Sequence, residues 1–156
     1  MLSGMDNLDA DLRSTDRAAA APFTQTPRIS AWYPFAMATY FTVVAVTFPL
    51  MRDGKIILGI GLLLVAVTAV LILTLTIRAR WGTWPRLSVA PPEIKRAFTL
   101  FTILAMAALI VSGAIWLSFG DIAGLIAVFL TALAIVWAYE FRLYPVAAQQ
   151  VRQRLA

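Results

Sequence analysis

The chain has 156 residues, of which 61% are apolar and 13% charged, with a formal net charge of +5 and neither cysteine nor histidine. This composition lies outside the range of soluble globular chains and indicates a membrane class. Without Cys or His there is no disulfide, no thiolate chemistry and no ordinary haem, copper or zinc site, so no cofactor is expected, while the redox compartment stays open.

Residues 1–30 form a polar head carrying Asp6, Asp9, Asp11 and Asp16. A cleaved signal peptide needs a basic segment running directly into an apolar one, and is not expected here. Leu2, Met5, Leu8 and Leu12 share one side of a helical wheel, and Asp9 stands four residues before Arg13. The spacing fits a short amphipathic helix, with a disordered acidic tail as the alternative. Four Asp against two Arg give residues 1–17 a negative charge that an anionic bilayer repels. The head is therefore expected to dock on the basic middle loop or on a partner rather than on lipid. Residues 18–27, rich in Ala, Pro and Thr, read as a linker.

Four apolar stretches follow, at 31–51, 56–77, 97–119 and 122–139, and none contains Asp, Glu, Lys or Arg. Each is long enough to cross the hydrocarbon layer, which takes roughly 20 helical residues. They predict an all-α integral membrane four-helix bundle over residues 31–140, followed by a basic tail over 141–156. Only Gly120 and Asp121 separate the last two stretches, so spans 3 and 4 should form a tight antiparallel hairpin with Gly113 and Gly124 toward the partner helix.

Eleven of the thirteen Lys and Arg residues lie in the head, the middle loop and the tail; only Arg52 and Lys55 lie on the other side. By the positive-inside rule both termini and the middle loop are expected in the cytoplasm and the chain in the plasma (inner) membrane. These basic residues are split among three short segments beside the bilayer, which argues for membrane lipids as partners and against nucleic acid.

The middle loop, residues 78–96, interleaves Arg78, Arg80, Arg86, Lys95 and Arg96 with Trp81 and Trp84. Indole settles at the headgroup level and guanidinium binds phosphate, so these seven residues are the candidate contact for lipid headgroups or a partner. Pro91, Pro92 and Glu93 suit the first turn of span 3.

Within the spans the polar side chains are hydroxyls set among small residues: Thr39 and Tyr40 in span 1, Thr68 in span 2, Thr102 and Ser112 in span 3, Thr131 in span 4. Such stripes let helices approach closely and hydrogen-bond across their interface. They are expected to face the bundle interior, either packed tightly or lining a cavity centred on Tyr40.

No ionisable group falls at membrane depth, which argues against a proton-coupled pump or ion channel. Glu140 and Asp121 sit at the two ends of span 4, and Glu140 is expected to pair with Arg142, Arg78 or Arg80. The Ser and Thr hydroxyls have no His base to activate them. A non-enzymatic accessory or interaction protein is therefore expected, as a homo-oligomer or a subunit of a membrane assembly; the alternative is a small transporter or lipid-binding carrier with a hydroxyl-lined cavity.

In length and four-span layout the chain is similar to the small multidrug-resistance transporters, but it departs from them in span 1, which has no membrane-embedded Glu. It more closely resembles small bacterial four-helix membrane proteins in its charged head, its Trp32-Tyr33-Pro34 start to span 1 and its Arg/Trp loop from Arg78 to Arg86. That resemblance implies the four-helix fold and no activity.

Overall fold

The computed structural model describes residues 15, 18, 20–24, 30–81 and 87–155. The head segment from Leu2 to Leu12, and loop residues 82–86 with Trp84 and Arg86, lie outside them. The described chain is helical, with no strand: α1 (Tyr33–Arg52), α2 (Ile56–Trp81), a 3-10 turn (Leu87–Val89), α3 (Pro92–Phe119), α4 (Asp121–Ala138), a π-helical turn (Tyr139–Leu143) and α5 (Tyr144–Leu155). Four helices are long and apolar enough to cross a membrane: α1, α2, α3, and α4 with its continuation through α5. In an apolar solvent every backbone N–H and C=O must find its partner within the segment, which these sequences do as helices.

Helix α3 begins at Pro92, as its first-turn residues imply: Pro92 at its first position has a preset φ and Glu93 complements the helix dipole. The end of span 4 differs from the expectation. Helix α4 does not end at Tyr139 but runs through the π turn into α5, so the basic tail is itself a helix. Residues 20–24, within the stretch read as linker, are also helical, and Ala20 and Phe23 are buried.

The long helices form a row rather than a closed ring. Helix α4 packs on both α3 and α1, α1 packs on α2, and α5 packs back on the start of α3; no other pair of long helices makes more than a grazing contact. Among the described helices α2 is thus supported by α1 alone, and most of its apolar surface is open, with Ile57 at 88% exposure. A helix apolar all round with so little protein cover has its face turned to a lipid-like solvent or to another protein.

The α3–α4 hairpin turns on a single residue. Gly120 has φ +84° and ψ −175°, a conformation that any side chain would strain, and its N–H bonds the Trp116 carbonyl at 2.9 Å. One turn into α4, the Trp116 indole lies flat against Gly124. A Cβ there would stand 2.5 Å from two ring atoms. Gly113 differs from the expectation: a Cβ there would meet nothing within 4 Å. Gly124 meets the indole only because Trp116 reaches across from α3, whereas Gly113 has no bulky residue opposite.

This geometry predicts that Gly124→Leu destabilises the chain by about 1–3 kcal/mol through overpacking against the indole, whereas Gly113→Ala is close to neutral. Thermal unfolding of both variants in the same detergent checks it. Equal melting temperatures for Gly124→Leu and the unmodified chain would contradict the packing described.

Candidate functional site

The two ends of the helix row carry different chemistry. At the end remote from the termini, Arg52 at the close of α1 forms a 2.7 Å ion pair with Asp121, the first residue of α4, and the Trp116 indole N–H donates to the other oxygen of that carboxylate at 2.7 Å. Arg52 also lies 3.8 Å from Asp53. One carboxylate therefore ties α1, α3 and α4 together. It is a latch of the fold, with both oxygens occupied.

The end that bears the termini is richer. Ala20 and Phe23 from the N-terminal stretch, Ala90, Ile94 and Ala97 from the start of α3, and Ala147, Ala148 and Val151 from α5 form one apolar cluster, edged by Leu143, Tyr144 and Leu155. The spacing of Tyr144, Ala147, Ala148, Val151 and Leu155 puts them on one face of α5, leaving Gln149, Gln150, Arg152, Gln153 and Arg154 to solvent. Polar bonds fasten the edges: the Tyr144 hydroxyl donates to the Phe23 carbonyl at 2.8 Å, Arg152 donates to the Thr24 carbonyl, and Arg154 pairs with Glu93 at 2.9 Å. The N-terminal stretch is thus held on the tail helix.

The π turn joins this cluster to the spans. Such turns insert one residue into a helix and recur at functional positions; here the turn re-aims the helix so that Tyr139 packs on Phe101 at 4.7 Å and Tyr144 points back to Phe23. Glu140 is half-buried in it. Neither Arg78 nor Arg142 lies within ion-pair distance of Glu140, which corrects the expected pairing for those two; the Arg80 side chain lies outside the described residues. Within the π turn Glu140 is half-buried, whereas Arg142 is exposed. Trp32, Tyr33, Trp137, Tyr139, Phe141 and Tyr144 ring this end, as aromatic side chains do where hydrocarbon gives way to headgroups.

Of the seven candidate headgroup contacts, three have described side chains. Arg78 is exposed near the end of α2, Lys95 and Arg96 are exposed on the first turns of α3, and Arg80 and Trp81 are described only as helical backbone. Among the six hydroxyl-bearing candidates, Ser112 and Thr131 meet across the α3–α4 interface at 3.1 Å, and the Thr131 hydroxyl also donates to the Ala127 carbonyl. Thr39, Thr68 and Thr102 are exposed and share no interior, and Tyr40 is half-buried with its ring 5.3 Å from Phe41. The correction follows from the row. Helices α2 and α3 each have neighbours on one side only, and the Thr102 hydroxyl bonds its own Phe98 carbonyl at 3.0 Å rather than a neighbouring helix.

Between α3 and α5 lies an open groove of ≈ 190 Å³, lined by Glu93, Arg96, Ala97, Leu100, Leu143, Val146, Ala147 and Gln150. Of these the sequence marks Arg96 as a candidate headgroup contact and Glu93 only as a first-turn residue of span 3. The signal available was the i, i+3, i+4, i+7 spacing of Glu93, Arg96, Ala97 and Leu100, which places them along one helix face.

The cluster predicts that Phe23→Ala, which removes its largest N-terminal side chain, loosens α5 without unfolding the spans. Amide exchange along residues 144–155 should then accelerate by at least about tenfold, the equivalent of 1.4 kcal/mol, with the central turns of α4 unchanged. Unaltered exchange in α5 would show that the N-terminal stretch does not hold it.

No family model, no curated protein and no solved structure matches this chain.

Proposed function

We propose that the chain is a non-enzymatic, multi-pass protein of the plasma (inner) membrane that acts as an accessory or interaction subunit, joined through α2 to a second copy of itself or to another membrane protein. The observation that carries this reading is the one-sided support of α2: its 26 residues pack on α1 alone, and Gly61, Val65 and Thr68 are exposed on its surface. Small and hydroxyl residues on an uncovered membrane helix favour close approach by another helix, because their size brings backbones together and their hydroxyls bond across the contact.

The orientation has both termini cytoplasmic. Its support is the distribution of Lys and Arg, and the aromatic ring, basic α5 and start of α3 all gather at that end. Anionic lipid is the companion partner there, drawn to Arg78, Lys95, Arg96 and their neighbours at about 1 kcal/mol each.

Because the chain contains no cysteine, single thiols report cleanly on both parts. Ser88→Cys in intact cells should react with a membrane-permeant maleimide and resist an impermeant one; labelling from outside would reverse the orientation. Thr68→Cys carrying a photoreactive maleimide should crosslink in the membrane, to itself or to one other membrane polypeptide, while Leu109→Cys on α3 crosslinks mainly lipid. Equal protein crosslinking, or none, from both positions would contradict the role given to α2.

A further inference from the structure

The groove between α3 and α5 is graded from charge to hydrocarbon along its length. On α3, Leu100 stands four residues, about 6 Å, deeper toward the spans than Arg96, and Glu93 stands a further turn outward. On the π turn and α5 the order is mirrored, because the chain runs the other way: Leu143 is deepest, Val146 and Ala147 lie between, and Gln150 is outermost. The inner half is therefore walled by Leu100, Leu143, Val146 and Ala147, and the outer half by Arg96, Gln150 and Glu93.

Charge at the outer half is net positive. The Glu93 carboxylate is engaged by Arg154 at 2.9 Å, whereas Arg96 is exposed and has no ion-pair partner among the described residues, with Lys95 beside it. The Arg96 guanidinium offers a planar fork of donors, and the Gln150 amide adds donors across the groove. The transition from Arg96 to Ala97 is also where the apolar run of α3 begins. An aqueous anion would use the outer half and leave the leucine wall empty; a peptide would not need the gradient.

We propose that this groove holds one anionic phospholipid, its phosphate on Arg96 and Gln150 and the first methylenes of one acyl chain against Leu100, Leu143 and Val146. The proposal deepens the membrane reading above, and rests on it. The groove gives the lipid a defined seat, distinct from the diffuse attraction exerted by the other basic side chains of this end. Seated there, the lipid bridges α3 and α5 and reinforces the contact that Glu93 and Arg154 make at the rim.

Native mass spectrometry of the full chain in detergent micelles tests this, with dioleoyl phosphatidylglycerol, dioleoyl phosphatidylcholine and inorganic phosphate as probes. One phosphatidylglycerol per chain should be retained in preference to phosphatidylcholine, and inorganic phosphate should not displace it. Arg96→Gln should weaken retention on the order of fivefold, the equivalent of one arginine–phosphate attraction. Leu100→Trp, which fills the inner half, should weaken retention of phosphatidylglycerol with all charges kept. Arg142→Gln removes a charge from the same end but outside the groove, and should leave retention unchanged; circular dichroism checks that each variant is helical. Equal loss from Arg96→Gln and Arg142→Gln would overturn the groove while leaving the membrane reading in place, as would displacement by inorganic phosphate or an unaffected Leu100→Trp. External labelling of Ser88→Cys would instead remove the orientation that places this groove in the inner leaflet.

Discussion

The Trp116 indole is the contact on which the arrangement of the spans depends. Its face lies on Gly124, setting how closely α3 and α4 approach, and its N–H holds the Asp121 carboxylate that also receives Arg52 from α1. Without hydrophobic driving force between helices in lipid, packing and a few polar bonds decide which helices meet. Here those bonds concentrate on α4, which becomes the centre of the row. Gly120 makes the arrangement possible by reversing the chain in one residue, so that Trp116 and Asp121, five positions apart, stand side by side.

At the other end a different balance operates. The helix that began as α4 leaves the spans through a π turn, becomes amphipathic, and buries Ala147, Ala148 and Val151 against the start of α3 and the N-terminal stretch. The small apolar cluster formed there is built from three sequence-distant segments, and its polar edge bonds, from Tyr144, Arg152 and Arg154, all originate on α5. This end therefore couples the head, the middle of the chain and the tail. It also leaves a groove whose polarity changes along its length as that of a membrane interface does, and Arg96 stands at the crossover.

The spans were legible in the sequence because twenty uncharged apolar residues leave the backbone few options, and the hairpin at Gly120 was legible because so little separates two such runs. The role of Pro92 and Glu93 at the start of α3 was equally direct. The lateral order of the helices was not legible. Hydroxyl stripes on all four spans suggested a common interior, yet a threonine can satisfy its hydroxyl on its own helix, as Thr42, Thr76, Thr99 and Thr102 do, and so carries little information about neighbours. Only Ser112 and Thr131 meet as the stripes implied. The groove was not legible for a related reason: Leu143 and Gln150 lie in a stretch that reads as a basic tail, and the π turn and α5 bring them against Leu100 and Arg96.

The open row is the feature that distinguishes this fold from a closed four-helix bundle, and it underlies the part assigned to α2. Spin labels on Thr68→Cys in α2 and Leu109→Cys in α3, near the middle of the two helices, measure it directly by electron–electron double resonance. With α1 and α4 between them and helix axes about 8–10 Å apart, the row predicts a label separation of roughly 20–30 Å. A narrow distribution near 10 Å, the spacing of adjacent helices, would mean that α2 closes onto α3 and that the uncovered face of α2 does not exist.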